Sequence, residues 1–106
     1  MNLKINKQYN EEENRWLAQI GGDLDIFSSS YFRDEMLAAW SDHKADIYID
    51  GEELDYIDST GLGAMIGLYN KMKENENEIY VTNLKPNIMK LFVITDLEQV
   101  FHIGEE

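Results

Sequence analysis

The chain has 106 residues, a length that supports one domain with a single core. Hydrophobic residues make up 43% of it, so we expect a folded protein and not a disordered one. Its 21 acidic and 9 basic side chains give a net charge of −12, which disfavours nucleic acid and anionic membranes as partners. A protein partner with a basic surface suits this charge better, although the acidity could serve solubility alone.

Several classes of protein are disfavoured by what the sequence lacks. No segment approaches the ~18 continuous apolar residues of a membrane helix. The polar, alternating N-terminus does not resemble a secretory signal. The absence of cysteine excludes disulfides and thiolate metal sites. We therefore expect a cytoplasmic protein that uses neither a cofactor nor a membrane.

The first elements in chain order are two strands. Residues 2–9 alternate apolar and polar side chains, which predicts a strand at a sheet edge. A charged turn at residues 11–14 precedes a second alternation from Arg15 to Ile20, which predicts an antiparallel partner strand. Gly21 and Gly22 are expected to end it.

A helix and a third strand follow. Three serines, Ser28–Ser30, are N-cap candidates for a helix that runs to about Ser41. Its inner stripe comprises Phe32, Met36, Leu37 and Trp40. Asp46–Asp50 is a predicted strand, Gly51–Tyr56 a predicted acidic loop, and Ile57 is expected to pack into the core.

The second half of the chain repeats the alternation of helix and strand. A central helix is predicted from about Ser59 to Asn75, and Glu78–Thr82 is the next strand. Pro86 suits the first turn of a third helix, and a last short strand is predicted from Gln99 to Ile103. The inward residues of the two helices are predicted to be Leu62, Met65, Ile66, Tyr69 and Met72, then Ile88, Leu91, Phe92 and Ile94.

This order, β-β-α-β-α-β-α-β, predicts an α/β fold. Strands that alternate with helices imply a mixed sheet with a parallel centre and right-handed crossovers. We expect about four or five strands packed against about three or four helices, in one domain over residues 1–106.

The segment from Ile57 to Gly63, with the sequence IDSTGLG, lies where an apolar stretch meets the central helix. A hydroxyl at such a junction lies beside unpaired backbone N–H groups and at the positive end of the helix dipole. A phosphate on Ser59 is therefore tolerated without unfolding. Ser59 is a candidate switch residue.

The same segment has a simpler interpretation as an ordinary N-cap, with Asp58 or Ser59 accepting from the first turn. No Glu or Gln follows three residues later to form a capping box. Gly61 and Gly63 each cost ~1 kcal/mol relative to alanine in a helix interior. They either expose bare backbone to a partner or kinase, or allow tight helix–sheet packing.

Acidic residues elsewhere suggest metal chemistry, but the patterns are incomplete. Residues 46–57 begin like an EF-hand loop, yet Tyr48 and Ile57 occupy its third and twelfth positions, where ligands are required. A magnesium-dependent aspartyl phosphoacceptor would use strand-end acids with a lysine. Its candidates here are Asp23, Asp25 and Asp50, with Lys85 as the counter-charge. The predicted strand count and order fit such a domain poorly.

The remaining functional residue types point to structure. His43 and His102 lack a serine-plus-acid pattern, so solvated or capping roles are expected for both. No glycine-rich loop with a lysine is present to cradle a phosphate, and the aromatic residues follow apolar stripes typical of a core. We expect no catalytic residue and no metal site.

The sequence resembles the STAS domain family, specifically its small single-domain anti-anti-sigma factors, also called anti-sigma factor antagonists. Ile57–Gly63 is similar to the family's D-S-[ST]-G-L-G phosphorylation motif, and Gly22–Asp25 to its G-E-[LI]-D. Ser28–Arg33, Asn83–Pro86 and Leu91–Leu97 match further family segments. Asp23 replaces the usual glutamate and Asp96 a common glycine.

The resemblance implies a partner-switching regulator of transcription, without enzyme activity. Its unphosphorylated form binds an anti-sigma factor, itself an ATP-dependent serine kinase of the GHKL type, and so frees a sigma factor. The kinase phosphorylates the serine after the motif aspartate, here Ser59, and a serine phosphatase reverses this. The implied partner-binding residues are Asp23, Asp25, Asp58, Ser59, Thr60, Gly61, Leu62 and Gly63. We expect a monomer; a STAS subunit of a larger signalling or transport assembly is the alternative role.

Overall fold

A computed structural model describes residues 1–104 of the chain; the last two residues of the predicted domain, 105–106, lie outside this description. The strands are β1 (Leu3–Asn10), β2 (Arg15–Leu24), β3 (Asp46–Ile57), β4 (Ile79–Thr82) and β5 (His102–Ile103). The helices are α1 (Ser29–Asp42), α2 (Ser59–Met72) and α3 (Pro86–Ile94), with single 3₁₀ turns at Lys73–Asn75 and Leu97–Gln99.

The five strands form one mixed sheet in the order β1-β2-β3-β4-β5. β1 is antiparallel to β2, and each later strand is parallel to the one before it. Because consecutive parallel strands are connected by right-handed crossovers in one direction, α1, α2 and α3 share one face of the sheet. The predicted α/β class and parallel centre are confirmed.

The core lies between that face and the helices. Inward residues of β2 and β3 alternate as predicted, with Ala18 and Ile47 fully buried. Of the predicted stripe of α1, Phe32, Met36 and Trp40 are buried and Leu37 is partly buried. In α2 the prediction missed Leu68, which is fully buried, while Ile66 and Tyr69 are only partly buried.

Two predicted boundaries in the middle of the sheet are wrong. Gly21 and Gly22 do not end β2, and Gly51–Tyr56 is not a loop but the second half of β3. The two segments pair with each other, Gly21 opposite Glu53 and Gly22 opposite Leu54, across shifts in register. Leu54 is buried in the core. The acidic side chains around it, Glu52, Glu53 and Asp55, are exposed to solvent on the same strand.

The C-terminal end also differs from the prediction. Ile94, expected to point inward, is 65% exposed because it is the last residue of a short helix whose buried positions are Ile88 and Phe92. The final strand is shorter than predicted, since Leu97–Gln99 forms a 3₁₀ turn before it. Within residues 1–104, no helix is both long and apolar enough to span a membrane.

Candidate functional site

The candidate site lies where β2 and β3 end and α2 begins. Leu24 and Ile57 are paired at the ends of the two parallel strands, and the Asp58 N–H donates to the Leu24 carbonyl at 3.3 Å. The carboxyl ends of parallel strands, with the loops that follow, are the usual location of functional sites in α/β folds. The Ile57–Gly63 motif therefore lies at the end of the sheet where functional sites of α/β folds are usually found.

The N-cap of α2 is Asp58. Its Oδ1 accepts from the backbone N–H of Gly61 at 2.9 Å, and its Oδ2 accepts from the N–H of Ile26 at 3.3 Å. One carboxylate thus satisfies an unpaired N–H of α2 and holds the loop that precedes α1. The N-cap interpretation is confirmed for Asp58 and is wrong for Ser59.

Ser59, the first residue of α2, is exposed. Within residues 1–104 its hydroxyl has no hydrogen-bonding partner. Thr60 is exposed beside it. Because Asp58 performs the capping, the Ser59 hydroxyl is accessible to a second protein.

The two glycines of the motif differ in their surroundings. A Cβ on Gly61 would lie 2.2 Å from the Leu24 carbonyl oxygen and 2.9 Å from Cγ1 of Ile57. A Cβ on Gly63 would have nothing within 4 Å, and Gly63 is exposed. Tight helix–sheet packing therefore explains Gly61, whereas Gly63 leaves bare backbone on the helix surface. The packing hypothesis is confirmed for Gly61, and the approach of a partner to Gly63 stays a prediction.

Asp25 organises its own loop. Its Oδ1 accepts from the N–H groups of Phe27 at 3.0 Å and Ser28 at 3.1 Å. The fully buried Ser28 hydroxyl donates to the Asp23 carbonyl at 2.8 Å and accepts from the Asp25 N–H at 2.9 Å. Ser28, the N-cap of α1, therefore stabilises the loop and makes no side-chain bond to the helix.

The other predicted partner-binding residues are less accessible. Asp23 is half-buried, and its N–H and side chain bond Asn2 at 2.6 and 3.0 Å. Leu62 is in the core, 9% exposed. The structure thus brings Asp25, Asp58 and the first turn of α2 together and leaves Leu62 beneath them. Their part in partner binding stays a prediction.

Sequence reasoning missed three exposed apolar side chains at this site. Ile26 is 64% exposed, Phe27 81% and Tyr56 51%. The expectation that aromatic residues belong to the core is wrong for Phe27 and Tyr56. One signal in the sequence would have identified the first two: an apolar pair between Asp25 and Ser28 lies in a turn, outside any helix or strand periodicity.

The residues of the magnesium alternative are not brought together. Asp50 pairs with Gln19, whereas Asp23 pairs with Tyr56, six residues later in β3, or about 20 Å along the strand. Lys85 instead bonds the Asp55 carboxylate, which raises the pKa of Lys85. Residues 1–104 contain no group of three or more acidic or histidine side chains arranged to hold a metal ion.

Neither histidine lies at the site. His43 is the C-cap residue of α1 and stacks on Tyr9, with ring centroids 3.9 Å apart. His102 bonds Glu78 at 2.9 Å on β5. The expected capping role is confirmed for His43.

The family model described as the STAS domain matches residues 6–106. The chain is 31% identical over 102 residues to a Bacillus subtilis protein named anti-sigma-B factor antagonist. That alignment covers 96% of this chain and 93% of the relative.

Two solved structures share the fold. An anti-sigma factor antagonist from Mycobacterium paratuberculosis matches with a TM-score of 0.81 and 16% identity, over 98% of this chain and 86% of that one. The Bacillus cell fate determinant SpoIIAA, in its phosphorylated form, matches with a TM-score of 0.72 and 18% identity, over 97% and 93%. At these identities the similarity shows the fold.

Proposed function

Because this chain belongs to the STAS domain family, we propose that it is an anti-sigma factor antagonist. Its unphosphorylated form binds an anti-sigma factor, so that a sigma factor is released for transcription. Phosphorylation of Ser59 ends that binding. The observation that carries the proposal is the exposed hydroxyl of Ser59, which has no hydrogen-bonding partner within residues 1–104, beside a helix already capped by Asp58.

The modification is a phosphoryl transfer from ATP, catalysed by the partner. The Ser59 Oγ forms a bond to the γ-phosphorus while the bond to the β–γ bridging oxygen breaks. ADP leaves, and the hydroxyl proton passes to a base of the kinase. Such a base can reach Ser59 because the side chain is exposed, and Gly63 adds no side chain to the same surface. A serine phosphatase restores the hydroxyl by hydrolysis.

The charge of the phosphate accounts for release without a change of fold. Phosphorylation adds about −1.5 to −2 charges directly beside the Asp58 carboxylate. The start of a helix tolerates this charge in the free protein. At a desolvated protein contact the same charge is unfavourable unless a cation pairs with it. A loss of ~3 kcal/mol weakens binding about a hundredfold.

In this proposal the chain acts as a single, monomeric cytoplasmic STAS domain without catalytic activity. The Bacillus subtilis relative, 31% identical to this chain, is named an antagonist, which supports this role over that of a subunit of a larger assembly. An acid-stable phosphate on Ser59 would agree with both roles. A labile acyl phosphate that requires magnesium would instead indicate the aspartyl phosphoacceptor.

The test is a pull-down from native cytoplasm with wild type, Ser59→Ala and Ser59→Asp, followed by mass spectrometry. Wild type and Ser59→Ala are expected to retain a GHKL-type serine kinase, which Ser59→Asp loses. Ser41→Asp is the matched control, because Ser41 is exposed near the other end of α1. Equal retention by all variants would contradict the proposal.

A further inference from the structure

We infer that the side chains of Ile26 and Phe27, hereafter the apolar anchor, insert into an apolar pocket of the anti-sigma factor. This inference rests on the proposed function and identifies the part of the surface that supplies the binding energy.

The apolar anchor is exposed although the rest of its neighbourhood is well packed. Phe27 is 81% exposed and Ile26 64%, while Leu24 and Ser28, on either side, are fully buried. Tyr56, on the neighbouring strand β3, is 51% exposed. A few large apolar or aromatic side chains typically dominate binding when they fill a pocket of the partner.

The backbone under the apolar anchor is fixed before binding. The Asp25 carboxylate accepts from the Phe27 and Ser28 N–H groups, and the Ser28 hydroxyl bonds both ends of the Asp23–Asp25 segment. A loop held in this way loses little conformational freedom on association, so more of the contact energy appears as affinity. Asp25 and Ser28 are positioning residues.

The apolar anchor is also tied directly to the switch. The Ile26 N–H donates to Oδ2 of Asp58, whose Oδ1 accepts from Gly61 in the first turn of α2. Ser59 follows Asp58 in the chain, so a partner seated on the anchor also covers the Ser59 hydroxyl. A phosphate there would bring its charge into the contact that the anchor desolvates.

The surroundings of the apolar anchor indicate the chemistry of the partner. The Asp58 and Asp25 carboxylates accept from the two backbone N–H groups of the apolar anchor, and Asp23 and Asp55 lie within the last three residues of β2 and β3. One of these, Asp55, is already paired with Lys85. The complementary surface is an apolar pocket with arginine or lysine at its rim. A second copy of this chain is a poor occupant because it would place two acidic rims together.

The experiment measures the affinity of purified variants for the anti-sigma factor kinase that wild type retains in the pull-down. Ile26→Ala/Phe27→Ala is expected to bind at least ~30-fold more weakly, since truncation of a side chain that is a hot spot of an interface costs more than ~1 kcal/mol. Phe27→Leu, which keeps an apolar side chain, is expected to retain most of the affinity. Circular dichroism melts confirm that each variant is folded.

The matched control is Val93→Ala/Ile94→Ala, an apolar pair 44% and 65% exposed near the end of α3. It is expected to bind like wild type.

If Ile26→Ala/Phe27→Ala binds like wild type while Ser59→Asp does not bind, the inference that the apolar anchor inserts into the partner is wrong and the proposed function stands. If neither change affects binding, both fail. Self-association of wild type, abolished by the anchor variant without weaker kinase binding, would identify a second copy as the occupant and overturn the inference.

Discussion

At the scale of single residues, the Asp58 carboxylate connects two segments that are distant in sequence. Its two oxygens bond Gly61 and Ile26, so it caps α2 and fixes the loop after β2. Ser59 makes no comparable bond within the described part of the chain. The cap of α2 and the proposed switch are therefore adjacent but different residues.

Replacement of the Asp58 cap should lower stability more than replacement of Ser59. We expect Asp58→Ala to reduce the free energy of unfolding by about 1 kcal/mol, because an N-cap acceptor is lost. Ser59→Ala should stay within about 0.5 kcal/mol of wild type. Urea unfolding monitored by circular dichroism measures both. A larger loss in Ser59→Ala than in Asp58→Ala would show that the cap has been misassigned.

The two glycines of the motif should respond in opposite directions to alanine. Gly61→Ala is expected to lower the free energy of unfolding by about 1–3 kcal/mol, because its Cβ would meet the Leu24 carbonyl oxygen at 2.2 Å. Gly63→Ala is expected to raise it by up to ~1 kcal/mol through helix propensity.

The same Gly63→Ala variant also tests the partner surface. If the partner approaches the bare backbone, the variant will be more stable in urea and bind the anti-sigma factor more weakly. If Gly63→Ala and wild type bind with equal affinity, the partner does not require bare backbone at this position. The sequence cannot distinguish Gly61 from Gly63, since the difference arises from β2, more than thirty residues earlier in the chain.

At the scale of elements, β3 shows why part of the fold was predictable and part was not. Its first half alternates regularly, so the strand was recognised there. In its second half the buried residues are Gly51, Leu54 and Ile57, at intervals of three. Shifts in register against β2 break the two-residue period, and the acidic residues between these positions then suggest a loop. Only the pairing with Gly21 and Gly22 reveals a strand.

The end of α3 carries a conformational cost that one substitution should relieve. Asp96 has φ of 58°, in the left-handed region that glycine adopts most readily. We expect Asp96→Gly to raise the free energy of unfolding by about 0.5–1 kcal/mol. Glu98→Gly, two residues later and without positive φ, is the control and should not stabilise. A lower urea midpoint for Asp96→Gly than for wild type would contradict this explanation of the turn.

At the scale of the whole molecule, the order of elements was sufficient to predict a mixed sheet with a parallel centre, and the observed strand order places all three helices on one face. The opposite face could not be predicted, because its contacts depend on register between strands. There the ring of Tyr80 stacks on Tyr48 and His102 at centroid distances of 4.3 and 4.4 Å. Burial in this row raises the pKa of Tyr80. The row lies on the face of the sheet opposite the helices, whereas Ser59 begins α2.

The net charge of −12 should affect the rate of partner binding. If it steers association with a basic partner, raising the ionic strength from about 0.05 to 0.5 M should slow association roughly tenfold or more while dissociation changes little. Stopped-flow fluorescence measures both rates. Neutralisation of the distant turn by Glu11→Gln/Glu12→Gln should have a smaller effect than neutralisation of Asp23 and Asp55. A salt-independent association rate would assign the acidity to solubility alone.

The most direct test compares two forms of the same protein. Purified chain carrying phosphate on Ser59, verified by mass spectrometry, is titrated calorimetrically against the anti-sigma factor beside the unphosphorylated chain. We predict a dissociation constant at least about a hundredfold higher for the phosphorylated form, with unchanged circular dichroism. Equal dissociation constants would contradict the account, because the phosphate on Ser59 would then not be the switch.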